Sequence, residues 1–244
     1  MTASDSPLAV NGWTEHRYDD AAKLQEQVAE QVTLACMHAL ASRGKALLAL
    51  AGGRSPLPIY RRVAQADLPW TRVVLVPTDE RCVPSGHPAS NRVAIADAFG
   101  AARGVQVLSL VPVDDASRCT AEHAQRVLEP HRGDFDAVIL GMGTDGHIAS
   151  LFPGAPGLLA ALAPDASVDA VRVDPDPLPP EAPFARISLT LARLLRTRAC
   201  HLVISGEAKL QALRDAAASP DIERLPVAAV LYGTGTDLHV HWSP

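Results

Sequence analysis

Short, unbroken apolar runs recur along this chain, and stretches of helical period lie between them. ALLALA (46–51), RVVLVP (72–77), VQVLSL (105–110), FDAVIL (135–140), ASVDAVRV (166–173), ACHLVIS (199–205) and VAAVLY (227–232) read as strands. Runs that are apolar throughout fit strands covered on both faces, as in a parallel sheet. Helices are expected at 19–43, 56–66, 90–99, 115–130 and 206–217. The first is the clearest. Leu24, Val28, Val32, Ala35 and Ala39 recur at helical spacing, Asp19 or Asp20 can cap the start, and Gly44 suits the left-handed residue past the end. Strands alternating with helices imply right-handed crossovers. The expected class is therefore α/β, with a doubly wound, mostly parallel sheet and helices on both faces.

The chain has 244 residues, of which 48% are hydrophobic, enough to fill a core without help from a disulfide or a metal. We expect one domain over 1–244, with 1–18 as an N-terminal extension and 174–185 (DPDPLPPEAPFA) as a Pro-rich loop. The net charge of −5 argues against a nucleic-acid binder. It leaves room for an anionic ligand, because a few cations focused in one cleft suffice. Cys36, Cys82, Cys119 and Cys200 contain no CxxC pair, so neither zinc nor a redox motif is expected and all four read as buried or free thiols. The start, MTASDSPLAV, has no Lys or Arg, and no apolar run approaches the ~18 residues that span a bilayer. A cytoplasmic protein without membrane contact is the expectation.

In an open parallel sheet, ligands bind beyond the carboxyl ends of the strands. Four such positions hold unusual chemistry. AGGRSP (51–56) follows the first apolar run; Gly52 and Gly53 permit a tight turn around Arg54, and Ser55 adds a hydroxyl that can cap the next helix. A turn of this kind can seat an anion, although glycine turns are common. PTDERCVP (77–84) places Asp79, Glu80 and Arg81 at a strand end, where Arg81 offers a planar fork for phosphate. Alone, it reads more readily as a solvated charged loop with internal ion pairs. In the nearby HPASN (87–91), Ser90 or Asn91 can cap a helix.

The third segment, LGMGTDGHIASLFPG (140–154), is the most informative. Gly141, Gly143 and Gly146 match a dinucleotide fingerprint, but three features argue against that use. His147 follows the last glycine at once, Pro153 and Gly154 cut short any helix, and the segment follows the fourth apolar run instead of the first. A catalytic loop fits better. His147, expected at the start of a short helix, offers a base that titrates near neutrality, and the glycine N–H groups approach a substrate. The other eight histidines are taken as structural. In the fourth segment, SGEAKL (205–210), Lys209 falls in the first turn of a helix, where a cation is unfavourable; a bound anion would remove the conflict, and a solvent-facing lysine whose head reaches away reads equally well.

Taken together, these blocks resemble the 6-phosphogluconolactonase family. AGGRSP resembles its SGGxTP loop, TDERCVP with HPASN its DERxVP…DSN stretch, and LGMGTDGHIASLFPG its LGMGxDGHxASLFPG signature. RISLTLARL (186–194), VISGEAKLQAL (203–213) and LPVAAVL (225–231) follow in the family's order. The resemblance runs from about residue 20 onward. It implies the α/β fold shared with glucosamine-6-phosphate isomerases/deaminases, and hydrolysis of 6-phospho-D-glucono-1,5-lactone to 6-phospho-D-gluconate in the oxidative pentose phosphate pathway. It puts His147 in the general-base position and Asp79 where an acidic residue lines the sugar cleft. Gly52, Gly53, Arg54, Ser55, Arg81, Gly143, Asp145, Arg186 and Lys209 fall at substrate- or phosphate-binding positions. No cofactor or metal is implied, and the expected partner is a small phosphorylated lactone bound by a monomer. The chain departs from the pattern at Ala51, Ser55, Ala89 and Ile148, and at DPDPLPP, where relatives read nearer SPKPP. Asp176 stands near that missing lysine, which shifts charge duty to Arg186 or Lys209. The alternatives are a sugar-phosphate isomerase or deaminase with Asp79 as base, and a non-catalytic sugar-phosphate sensor.

Overall fold

The computed structural model describes residues 12–176, 183–233 and 235–244. Residues 1–11 of the expected extension and 177–182 of the Pro-rich loop lie outside these. In chain order the elements are β1 (Trp13–Arg17), α1 (Ala21–Arg43), β2 (Ala46–Leu50), α2 (Leu57–Val63), β3 (Val73–Pro77), β4 (Asp79–Arg81), α3 (Asn91–Ala98), β5 (Gln106–Val107) and α4 (Ala121–Leu128). There follow β6 (Ala137–Leu140), α5 (Leu158–Ala161), β7 (Ala170–Val173), β8 (Arg186–Leu189), α6 (Leu191–Leu195), β9 (Ala199–Ser205), α7 (Glu207–Ala218), α8 (Val227–Leu231) and β10 (Asp237–Ser243).

Seven strands form one parallel sheet in the order β1-β10-β9-β6-β2-β3-β5. Side chains alternate across it. Leu48 and Leu50 pack with Leu24, Val28 and Val32 of α1 and with Ile59 and Ile95 of α2 and α3. Ala49, Val138 and Leu140 pack with Leu194, Leu213 and Val230 of α6, α7 and α8 on the other face. Helices cover both faces, as a buried parallel sheet requires. Helix α1 begins where Asp20 Oδ1 accepts from the Lys23 N–H at 2.8 Å, and ends at Gly44, whose φ is 72°. No described helix is long and apolar enough to cross a membrane.

The structure differs from the sequence reading in several places. VAAVLY is helix α8, not a strand, and Val227–Leu231 are all buried. A run buried on every side has no period to betray it. VQVLSL contributes only two strand residues, Gln106 and Val107. The run at 166–173 yields β7, which joins a separate antiparallel sheet, β4-β8-β7. Residues 13–17 of the expected extension are edge strand β1, paired in parallel with β10. Not all cysteines are thiols: Cys82 and Cys119 form a disulfide that ties the segment after β4 to the one before α4. Cys36 and Cys200 are free and buried, and burial pushes both thiols up to about 12.

Candidate active site

The carboxyl ends of β2, β3, β6 and β9 come together because those strands are neighbours in the sheet. Between them opens a cleft of about 310 Å³. Gly52, Gly53, Arg54, Ser55, Asp79, Arg81, Gly143, His147, Arg186 and Lys209 all line it. Of the site residues expected from sequence, only Asp145 stands back from the cleft, behind His147.

The turn after β2 is held open. Among the described residues nothing accepts from the N–H groups of Gly52, Gly53, Arg54 or Ser55. Gly52 is required by close approach, since a Cβ there would lie 1.9 Å from Asn91 Oδ1. Ser55 does not cap α2 as expected; that helix starts after Pro56 with no side-chain cap. Residues 52–55 line the cleft, and a turn whose N–H groups are unspent can seat an anion.

Strand β4 leaves the main sheet after Thr78 and pairs with β8, which sets Arg81 directly opposite Arg186. Two like charges facing each other across an antiparallel pair repel unless an anion lies between them. Arg81 Nη1 donates to the Ala89 carbonyl at 2.7 Å. Arg186 is 3% exposed, with its guanidinium 4.9 Å above the Phe152 ring. Lys209, in the first turn of α7, has no ionic or hydrogen-bond partner among the described residues, and burial pushes its ammonium below the usual lysine range. Arg54, Arg81, Arg186 and Lys209 thus line one cleft, and among the described residues Asp79 is its only acidic lining residue.

Asp79 is buried and engaged. Its carboxylate accepts from Ser150 Oγ at 2.5 Å, Asn91 Nδ2 at 3.1 Å and Thr78 Oγ1 at 3.4 Å. His147 Nδ1 lies 2.6 Å from Asp145 Oδ1, which also accepts the His147 N–H at 3.2 Å. The acceptor fixes the tautomer: Nδ1 carries the proton and Nε2 keeps its lone pair. Burial pushes the Asp145 carboxyl up, but its bonds to His147 outweigh that and hold it below the usual carboxylate range. The imidazole also rests against Phe152, with ring centroids 4.5 Å apart.

Two expectations for this loop need correcting. No helix starts at His147: residues 141–150 form bridged turns, with Met142 paired to Ile148 and Ile148 to Leu151. The glycine N–H groups are also not all free, because Gly143 donates to the His147 carbonyl and Gly146 to the Gly143 carbonyl. The sequence reading missed Ser150, which fixes Asp79, and Ala149, a cleft residue with φ of 47°. Asn91, read only as a cap, is a cleft residue whose side chain holds Asp79; Ser90 is the cap, accepting from the Val93 N–H.

An open parallel sheet with a cationic cleft and an oriented histidine at its carboxyl edge defines an α/β protein built to act on a small anionic molecule. A model of the family described as glucosamine-6-phosphate isomerases/6-phosphogluconolactonase matches residues 19–242, and the chain belongs to that family. It is 34% identical to a 6-phosphogluconolactonase of Neisseria meningitidis over 93% of this chain and 98% of that one. It is 36% identical to one of Caulobacter vibrioides, with 97% of each chain covered. The crystal structure of a 6-phosphogluconolactonase from Shewanella baltica superposes with a TM-score of 0.87 at 30% identity, covering 96% of this chain and 99% of that one.

Proposed function

We propose that the chain hydrolyses 6-phospho-D-glucono-1,5-lactone to 6-phospho-D-gluconate, the lactone-opening step of the oxidative pentose phosphate pathway. The observation that carries this is an oriented base, His147 with Asp145 behind it, facing a cleft lined by four cations. The substrate phosphate docks on the open turn Gly52–Ser55 and on Arg81, Arg186 and Lys209. Each charge-assisted hydrogen bond contributes about 1.5–3 kcal/mol. Phosphate anchoring sets the lactone carbonyl near His147, whose Nε2 takes a proton from water as the water attacks. The Asp145 carboxylate stabilises the imidazolium that forms. Collapse of the tetrahedral intermediate breaks the ring C–O bond, and the imidazolium returns the proton to the leaving oxygen.

An isomerase needs a free carboxylate to move a proton between carbons. Asp79 lines the cleft, but the relatives at 34% and 36% identity are lactonases, which favours hydrolysis over that reading. Lactone hydrolysis consumes only water, so no cofactor or metal enters the proposal. The test is the hydrolysis rate above the spontaneous rate, with wild type and His147→Ala side by side. General-base catalysis is worth about 10²–10⁴ in rate, so the variant should lose about that factor in kcat with KM little changed. An unchanged kcat would overturn the assignment.

A further inference from the structure

Strand β4 carries a residue that the proposed mechanism does not use. Side chains alternate along a strand, so Asp79 and Arg81 face the cleft while Glu80 points the other way, toward the start of α3. Glu80 is 2% exposed. It makes no salt bridge with a described residue; instead four hydrogen-bond donors converge on it. Oε1 accepts from the backbone N–H of Arg81 at 2.7 Å and of Asn91 at 2.8 Å. Oε2 accepts from the Arg92 N–H at 2.7 Å and Ser90 Oγ at 2.9 Å. A neutral acid would place an O–H among donors, so the geometry calls for the ionised form. Burial holds its pKa above the usual glutamate value, and the four hydrogen bonds offset only part of that rise.

This is more than a helix cap, because Ser90 already caps α3. The residues that Glu80 grips are those that shape the cleft. Arg81 faces Arg186, and Asn91 Nδ2 reaches back to the Asp79 carbonyl and carboxylate. The Asn91 side chain also fills the space that a Cβ on Gly52 would need. One carboxylate thus joins the strand of Arg81, the start of α3 and, through Asn91, the anion-cradling turn.

We propose that Glu80 is a positioning residue for phosphate recognition, fixing Arg81 and the Gly52 turn through its four hydrogen bonds. This rests on the reading that Arg81 holds the substrate phosphate. His147 stands on a different loop, so loss of Glu80 should weaken binding and spare the chemical step.

The experiment compares wild type, Glu80→Gln, Arg81→Gln and the double variant, measuring kcat, KM for the lactone and the inhibition constant of inorganic phosphate. In Glu80→Gln the amide N–H groups meet donors. KM and the phosphate inhibition constant should rise together by about tenfold, equivalent to ~1.4 kcal/mol, with kcat within about threefold. In the Arg81→Gln background the same change should raise KM by clearly less than its roughly tenfold effect in wild type, because the share acting through Arg81 is already lost and only the share acting through the Gly52 turn remains. A lowered kcat at unchanged KM, or independent multiplying effects, would mean a purely structural role and overturn the proposal. If Arg81→Gln itself leaves KM and phosphate inhibition unchanged, the phosphate reading of Arg81 fails and the proposal falls with it. Should Glu80→Gln not fold, Ser90→Ala removes one of the four donors. A rise in KM of about two- to threefold there supports the proposal, and an unchanged KM overturns it.

Discussion

At the scale of single residues, the cleft is built from close approaches that tolerate no extra atom. A Cβ on Gly143 would lie 2.3 Å from both His147 Nδ1 and Asp145 Oδ1. Gly143→Ala should therefore push the imidazole off its carboxylate while leaving the sheet intact. We expect kcat to fall by about 10²-fold or more, toward the loss of the base itself, with an unchanged circular dichroism spectrum. A variant with normal turnover would show that the His147–Asp145 contact is dispensable. His147, Arg81 and Lys209 were legible in the sequence because each follows a strand, where a parallel sheet collects its chemistry. Ser150, Asn91 and Glu80 were not legible in these roles. Their work is done through contacts across the fold: Ser150 reaches Asp79 over 71 positions, and no local spacing reports that.

At the scale of elements, the apolar central strands and the capped helix α1 were readable, and the polar edge was not. Strands β1 and β10 contain His16, His239 and His241, which stack with His201 of β9 into one cluster. His16 Nε2 lies 3.1 Å from His239 Nδ1, and His201 Nδ1 lies 3.2 Å from His241 Nε2. Tyr18 and Asp237 complete the cluster at His241 Nδ1 and His239 Nε2. These strands hide their apolar alternation behind imidazoles that pair with each other instead of with solvent. Burial, with the neighbouring imidazoles adding to it, lowers His201 to about 3 and His241 to about 2. Unfolding restores a value near 6.5, so below that pH the unfolded chain binds protons that the folded chain refuses. Stability is then full above pH ~6.5 and is lost as pH falls toward 3, at up to about 1.4 kcal/mol per pH unit for each histidine. The melting temperature should drop steeply between pH 6 and 4, and replacing His201 and His241 together by Gln should flatten that slope. An equally steep slope in the double variant would place the acid sensitivity elsewhere.

At the scale of the whole molecule, the one covalent cross-link joins Cys82 to Cys119 across 37 positions. The sequence gives no spacing that pairs these two; only the fold brings β4 and the approach to α4 together. Loop-closure entropy for a span of that length is worth about 4 kcal/mol. A dithiol reductant should lower the denaturation midpoint accordingly, and Cys119→Ser should behave in the oxidised buffer as wild type does in the reduced one. Identical midpoints for wild type with and without reductant would show that the bridge adds nothing. The pairing of β1 with β10 has a different consequence, which concerns force. The two strands run parallel, in register from Trp13 opposite Leu238 to Arg17 opposite Trp242. A pull applied to the chain before β1 and after β10 therefore draws the strands past each other lengthwise. All the ladder hydrogen bonds carry that load at once instead of unzipping in turn. Rupture under tension is set by an unfolding rate and not by the equilibrium free energy. An unfolding machine hauling on one end against resistance at the other meets this sheared pair as a mechanical clamp, which must fail as a unit before the cleft is disturbed.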